Sequence, residues 1–265
     1  IRLDPSTDKS ESVIRHYIEK HENVHLICPS EPSGSAGQNF FNLILEVEFE
    51  KYDYIAFADQ DDIWLSNKLA RADMCLTENG VSAYSGNVIA WWETGKKKIV
   101  FKSSPQVKYD YLFESAGPGC TFVFQIEFAC ALKRYLQFLG EEVKSLWLHD
   151  WFCYAFACSR GFKWFIDDKP MMMYRQHEIN AIGANSGLLA LRRRVKEVLS
   201  GNAFDKVKCQ ASILGLNDQA PIDLLIQDKF ISSIKLAFHA HECRRKPTDK
   251  LFFAMAMIIH AFGRL

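Results

Sequence analysis

Apolar and polar positions fall along the chain in blocks that read alternately as helices and strands. Ser6, Thr7 and Asp8 offer N-caps for a helix running to about His21, and 24–28 is a short apolar strand. A loop of Pro, Ser and Gly at 29–37 precedes a helical pattern at about 38–50. The strand 54–58 follows, then an acidic loop, then a helix over 65–78 that stops before Gly80. Strands and helices in this succession, with short loops, predict a parallel sheet covered by helices.

Beyond Val81 the pattern changes. Positions 82–93 and 98–101 predict a pair of strands joined at Gly95, and Gly117-Pro118-Gly119 leads into a strand at 120–125. Helices at 128–139 and 148–159 and a strand at 163–166 follow. The sheet therefore starts parallel and ends mixed, an α/β nucleotide-binding architecture with an acceptor-side half. From about Leu188 the stretches 188–199, 222–238 and 250–262 read as helices, so the expected division is a domain over 1–187 and a helical region over 188–265. Basic clusters at Arg192-Arg193-Arg194 and Arg244-Arg245-Lys246 are ordinarily solvated helix faces. The alternative is a surface for anionic lipid head groups, a peripheral membrane contact with 251–262 lying in the interface.

Composition narrows the partners. Lysine plus arginine equals aspartate plus glutamate at 32 each, so no global field recruits nucleic acid, and none is expected as a partner. A chain of 265 residues buries a large core, and 20 Phe and 6 Trp suit one. The eight cysteines are scattered, none in a C-x-x-C pair and most in apolar runs, as in a cytosolic protein with reduced, buried thiols. No secretory leader opens the chain and no apolar run has the length of a bilayer span; the longest, 251–259, predicts a buried or interfacial helix. The chain opens at Ile1 as though a strand were already under way, which predicts a segment of a longer protein.

Three stretches carry candidate chemistry. Phe57-Ala58-Asp59-Gln60-Asp61-Asp62-Ile63-Trp64 puts three carboxylates in four positions directly after an apolar strand. In an open α/β sheet the C-terminal ends of strands face the ligand, and carboxylates packed this closely call for a cation. A solvated acidic turn is the plainer reading. In Leu148-His149-Asp150-Trp151, at a helix start, Asp150 either serves as a general base or simply sits where a helix favours negative charge. The third stretch, Tyr174-Arg175-Gln176-His177-Glu178-Ile179-Asn180-Ala181-Ile182-Gly183, follows the turn at Asp167-Asp168-Lys169-Pro170. Arg175 has the fork that pairs with phosphate, and His177 has an imidazole that can ligate a metal.

Taken together and in this order, F-A-D-Q-D-D-I-W with Lys68-Leu69, then H-D-W, then Y-R-Q-H-x-x-N-x-x-G resemble the family 2 glycosyltransferases. The nearest subgroup is the rhamnosyltransferase-like enzymes of bacterial surface-polysaccharide assembly. The resemblance covers about 1–186. Leu3-Asp4-Pro5-Ser6-Thr7-Asp8 is similar to the family's D-D-G-S-T-D, with Leu3 for the first acid and Pro5 for the glycine, and Asn39 in Gly34-Ser35-Ala36-Gly37-Gln38-Asn39 matches its usual asparagine. The family's first strand and its nucleotide-binding loop have no counterpart in this chain.

What the resemblance implies is a GT-A fold, a mixed sheet flanked by helices with a C-terminal helical appendage, and transfer of a sugar with inversion from a nucleotide-diphosphate donor. The acceptor is a hydroxyl of a growing glycan or a lipid-linked glycan at the inner face of the membrane, and the subgroup suggests rhamnose. By position, Asp61 and His177 would hold a divalent cation, Mg²⁺ or Mn²⁺. Asp4, Asn39, Asp59, Arg175 and Gln176 would bind the donor, and Asp150 would be the base. Asp62, Gly119, Cys120, Thr121, His149 and Trp151 would line the acceptor and sugar side. Two other readings compete. Leu3 and the missing first strand favour a carbohydrate- or nucleotide-sugar-binding module without turnover. Another metal-dependent phosphate enzyme would have no use for H-D-W with R-Q-H, and no P-loop is present.

Overall fold

A single asparagine hands the chain from one sheet to another. In the computed structural model, which describes residues 1–176 and 201–263, the expected strand 82–93 is two strands, β3 (Ala83–Gly86) and β4 (Val88–Trp91). Between them, Asn87 is buried, and its amide is fully used. Its Oδ1 accepts from the backbone N–H groups of Lys102 (2.5 Å) and Ser103 (3.1 Å), and its Nδ2 donates to the Asp168 carbonyl (2.7 Å) and Ser103 Oγ (3.1 Å). A buried amide satisfied on both ends fixes the crossing point.

The first sheet has the order β1-β6-β3-β7, with β1 (Tyr54–Ala56), β6 (Val123–Gln125) and β7 (Trp164–Asp167). β6 runs antiparallel to both β1 and β3, while β3 and β7 are parallel, Ala83 facing Trp164. The second sheet, β2-β8-β4-β5, contains β2 (Ile63–Trp64), β5 (Lys97–Val100) and β8 (Met172–Arg175). Only β4 and β8 are parallel there. The expected strand at 24–28 reduces to one parallel bridge between Arg2 and Ile27. Strand β8 carries no signal of its own, because its four residues run straight into the polar stretch that follows.

Helices α1 (Ser10–Ile18), α2 (Ala36–Glu46), α3 (Lys68–Asn79), α4 (Ile126–Leu139) and α5 (His149–Ser159) lie close to their expected places. Ser35 caps α2 by accepting from the Gln38 N–H at 3.2 Å, which starts that helix earlier than its apolar pattern suggests. Gly80 ends α3 in the left-handed region, φ 55°.

The C-terminal part is helical as expected but differently divided. It comprises α6 (Asn202–Leu214), α7 (Ala220–Gln227), α8 (Phe230–Phe238), α9 (Ala240–Cys243) and α10 (Pro247–Phe262). The continuous apolar pattern at 222–238 is broken at Asp228, where φ is +48° and the carboxylate bonds His260 Nε2 at 2.8 Å. The stretch 188–199 and the Arg192-Arg193-Arg194 cluster lie outside the described residues. Phe204, Val207, Leu214, Ile222, Leu236 and Met257 join Phe41, Phe122, Phe124, Phe128 and Phe152 in one hydrophobic cluster. The helices thus complete the main core. Its centre is aromatic, with Phe122 and Phe124 meeting Trp164 edge-on at 4.8 and 5.6 Å.

The second basic cluster corrects its sequence reading. Arg245 is only 4% exposed, pairs with the equally buried Asp110 at 3.3 Å, and donates to the Ser115 carbonyl at 2.5 Å. It is neither a solvated face nor a lipid contact. All eight cysteines are free thiols. Among the described residues no helix is long and apolar enough to cross a membrane.

Candidate active site

The acidic loop begins where β1 ends. Phe57 is buried, donates its N–H to the Phe122 carbonyl at 3.2 Å and meets Phe124 edge-on, which fixes the backbone that delivers Asp59 to Asp62. Ligand atoms of Asp59, Asp62 and Cys120 all lie within 4.8 Å of one another. Asp62 Oδ1 accepts from the Arg175 N–H at 2.9 Å, so β8 closes the loop, while its Oδ2 is buried without a hydrogen-bond partner. Burial raises the Asp59 carboxyl to about 6, with the charges of Asp62, Asp61 and Asp150 adding to the rise. Asp62 is also raised, again chiefly by burial. Burial, and then the two carboxylates, push the Cys120 thiol far above its ordinary value.

Among the described residues, a buried lysine stands beside these acids. Lys68, 1% exposed at the start of α3, donates to the Cys120 carbonyl at 2.9 Å and lies 3.4 Å above the Trp64 ring. Burial lowers its pKa to about 8, and Asp62 and Asp59 act against that fall. A lysine so placed ties the acidic loop to the turn Gly119–Thr121.

Asp150 comes from the start of α5, and α2 sets the place of the segment leading to it. Gln38 Nε2 donates to the carbonyls of Val143 (3.0 Å) and Leu146 (2.8 Å), and a Cβ on Gly37 would fall 2.6 Å from the Trp147 carbonyl oxygen. His149 then stacks on Phe40 at 4.1 Å and meets Phe57 edge-on at 5.5 Å. Burial lowers its pKa to about 3, and neither ring nitrogen has a hydrogen-bond partner, so the imidazole is neutral. A Cβ on Gly119 would fall 2.2 Å from His149 Nε2, so the ring occupies the space a side chain at 119 would need. The next residue, Asp150, accepts from the Trp151 N–H at 2.6 Å. Burial raises its carboxyl to about 6, against the opposing effects of that N–H, of Lys102 and of the Ser115 hydroxyl.

The other expected residues take these positions. Asp4 and Asn39 meet at 2.8 Å, and Asp4 also accepts from the Ser33 N–H and hydroxyl (2.9 and 2.8 Å) and from Arg2. Arg175 pairs with Glu93 and stands over the Trp91 ring at 5.7 Å. Gln176 is buried and takes the Trp91 carbonyl at 2.9 Å through its N–H. Thr121 is buried with its hydroxyl on the Pro118 carbonyl, and Trp151 is buried with Nε1 on the Tyr111 carbonyl. His177 lies outside the described residues. The structure therefore gathers Asp59, Asp61, Asp62, Cys120 and Asp150 into one electrostatic group, with Arg175 joined through its backbone.

Over 260 residues, 98% of this chain and 89% of the relative, the sequence is 37% identical to the dTDP-rhamnosyl transferase RfbG of Shigella flexneri. The chain belongs to the rhamnosyltransferase-like family 2 glycosyltransferases. A second relative of this glycosyltransferase is the UDP-Glc:alpha-D-GlcNAc-diphosphoundecaprenol beta-1,3-glucosyltransferase WfgD of Escherichia coli, 24% identical over 80% of the chain and 71% of the relative. Among solved structures, Staphylococcus aureus TarS (residues 1–349, with UDP-GlcNAc) matches with a TM-score of 0.50 at 12% identity, over 98% of this chain and 79% of that one. That likeness shows the GT-A type fold. No family profile matches the sequence.

The glycosyltransferase site contains residues that sequence reading missed. Lys68 stood in the quoted motif without a role. Lys102 and Ser115 carried no signal, because their nearness to Asp150 is made by the fold. The two convergent carboxylates are oxygen donors of the kind a hard divalent cation takes, and the Cys120 thiol is the third member of the group. The convergent pair is Asp59 with Asp62, while Asp61, the expected ligand, adds its charge to both.

Proposed function

We propose that this glycosyltransferase moves a rhamnosyl group, with inversion, from a nucleoside-diphosphate donor to a hydroxyl of a growing or lipid-linked glycan. The observation that supports the reading is the packing of His149 against Gly119, next to the Cys120 that converges with Asp59 and Asp62; Asp150 follows His149, its carboxyl raised to about 6 by burial. A carboxyl of that pKa is mostly ionised at neutral pH yet basic enough to take a proton in the transition state. The 37% identical rhamnosyl transferase supports the choice of sugar and of dTDP as the nucleotide.

In this mechanism Asp150 accepts the proton of the acceptor hydroxyl as its oxygen attacks the anomeric carbon. The bond to the diphosphate oxygen breaks on the opposite face, and its electron pair leaves with the phosphate. Asp59 and Asp62, with Asp61 beside them and His177 completing the set, would hold Mg²⁺ or Mn²⁺. Such an ion supplies Lewis-acid stabilisation of the departing diphosphate. Lys68 holds the Gly119–Thr121 turn against the acidic loop, and His149, neutral and wedged, fixes the direction of Asp150.

The finer partner reading concerns α10. Leu251, Met255, Ile258, Ile259 and Phe262 are exposed along this helix, and a lipid-linked acceptor such as the diphosphoundecaprenol in the second relative's name brings a membrane close. Cosedimentation with anionic vesicles, lost in Leu251→Ser/Phe262→Ser, tests that contact.

The main test is calorimetric titration of dTDP and UDP with and without Mn²⁺, followed by transfer from dTDP-rhamnose. Metal-dependent dTDP binding and transfer, with transfer abolished by Asp150→Asn, is the expected result. Nucleotide-sugar binding without turnover would instead make the chain a binding module, and binding of neither nucleotide would remove the donor reading.

A further inference from the structure

Arg245 belongs to the C-terminal helices, on a sequence stretch that matches none of the catalytic motifs. Its guanidinium is nonetheless among the most enclosed charges of the molecule. It donates to Asp110 Oδ2 at 3.3 Å and to the Ser115 carbonyl at 2.5 Å, pairs with Glu114 at 3.3 Å, and lies 5.6 Å from the Tyr154 ring centre. Its own backbone N–H donates to Glu114 Oε1 at 2.7 Å, and the adjacent Arg244 donates to the Phe113 carbonyl at 2.7 Å. Two arginines in succession therefore grip 113–115.

Both ends of that grip lead to Asp150. The Ser115 hydroxyl donates to the Gly117 carbonyl at 2.8 Å and lies close enough to the Asp150 carboxyl to hold its pKa down. Asp110, the other partner of Arg245, accepts from the Tyr154 hydroxyl at 2.9 Å, and Tyr154 lies one helical turn beyond Asp150 on α5. The arginine fork thus touches the loop on one side of the base and, through Asp110, the helix that carries it.

We propose that Arg245 is a positioning residue for the transfer step, holding Ser115 and α5 in register so that Asp150 faces the acceptor. The inference rests on the reading of Asp150 as the base. It makes the turn between α9 and α10 part of the catalytic apparatus. A planar fork that serves an aspartate, a glutamate and a carbonyl together has no equivalent in lysine, which brings one compact charge.

The test compares Arg245→Lys, Asp150→Asn and a control, Leu236→Ala, which opens a cavity in the C-terminal helical layer. Steady-state kinetics with dTDP-rhamnose and melting curves are taken on the whole chain. Arg245→Lys is expected to fold, to keep the donor KM within about twofold, and to lose about 10- to 100-fold in kcat, the range for a small misplacement of a catalytic group. Leu236→Ala is expected to melt earlier with the kcat of its folded fraction unchanged. Wild-type kcat in folded Arg245→Lys would overturn the proposal, and so would losses of kcat and donor binding that simply track the unfolded fraction, as in the control. Should Arg245→Lys fail to fold, Glu114→Gln, which loosens the same grip, is measured for the same split between kcat and KM. Normal transfer by Asp150→Asn would remove the base reading itself, whereas inactive Asp150→Asn beside fully active Arg245→Lys would remove only the positioning role.

Discussion

Asp167 and Asp59 are both enclosed acids at the ends of strands, and the protein treats them in opposite ways. Asp167 receives both arms of the Arg71 fork at 2.9 Å, the Tyr84 hydroxyl at 2.9 Å and the Lys169 N–H at 3.2 Å. Burial alone would raise its carboxyl, but these donors bring it below the ordinary value. Asp59 has two acidic neighbours in its own loop and stands at about 6. Lys68, buried in the same region, donates to the Cys120 carbonyl. One acid is answered by an arginine fork, whereas among the described residues no ion pair answers the other. Acids gathered in this way at a strand end are what the proposed metal-bound diphosphate would offset.

Substitutions can break the contrast from either side. The largest effect is expected at the base: Asp150→Asn should cost about 10²–10⁴-fold in transfer rate while leaving dTDP affinity intact, read by paired kinetics and calorimetry. At the answered acid, Arg71→Met strands a buried carboxylate and should cost about 3 kcal/mol of stability in urea unfolding, the lower end for a broken buried pair because Arg71 is partly exposed. An unchanged midpoint would show that Tyr84 and Lys169 suffice. At the unanswered acid the sign reverses. The folded Asp59 pKa of about 6 exceeds the ordinary 3.8, so its ionisation costs folding energy as pH rises between those values. Asp59→Asn should therefore gain on the order of 1 kcal/mol above neutrality while losing Mn²⁺-dependent nucleotide binding. A stabilised protein that still binds would separate repulsion from function. The smallest effect is a profile: transfer should fall on the acid side with a midpoint near 6, as Asp150 takes up its proton. A midpoint near 4 would show that substrate binding lowers this carboxyl.

Much of the fold was legible because local signals agreed. Strand β1, helices α3, α4 and α5 and the acidic loop follow from apolar runs, caps and turn residues. The break at Asn87 was not, since an apolar run resumes directly at Val88-Ile89 and an asparagine in a strand looks like its outward face. Nor was the kink at Asp228, where the helical period runs on unbroken and only a left-handed backbone interrupts it. The site divides likewise. Motif resemblance pointed to Asp59, Asp61, Asp62 and Asp150, yet the convergence of Asp59 and Asp62 on Cys120 is a product of β6 lying beside β1. Arg245 read as a solvent-facing charge because its partners, Asp110, Glu114 and Ser115, are about 130 residues away in sequence.

The close fit of His149 into the space beside Gly119 has a consequence for how such sequences change. Neither position can vary by itself: any side chain at 119 collides with the imidazole, and a smaller residue at 149 leaves Phe40 and Phe57 facing a void. The two sites are therefore sterically coupled. A descendant that acquires alanine at 119 should carry a smaller partner at 149, and its Asp150 would then swing on a looser pivot.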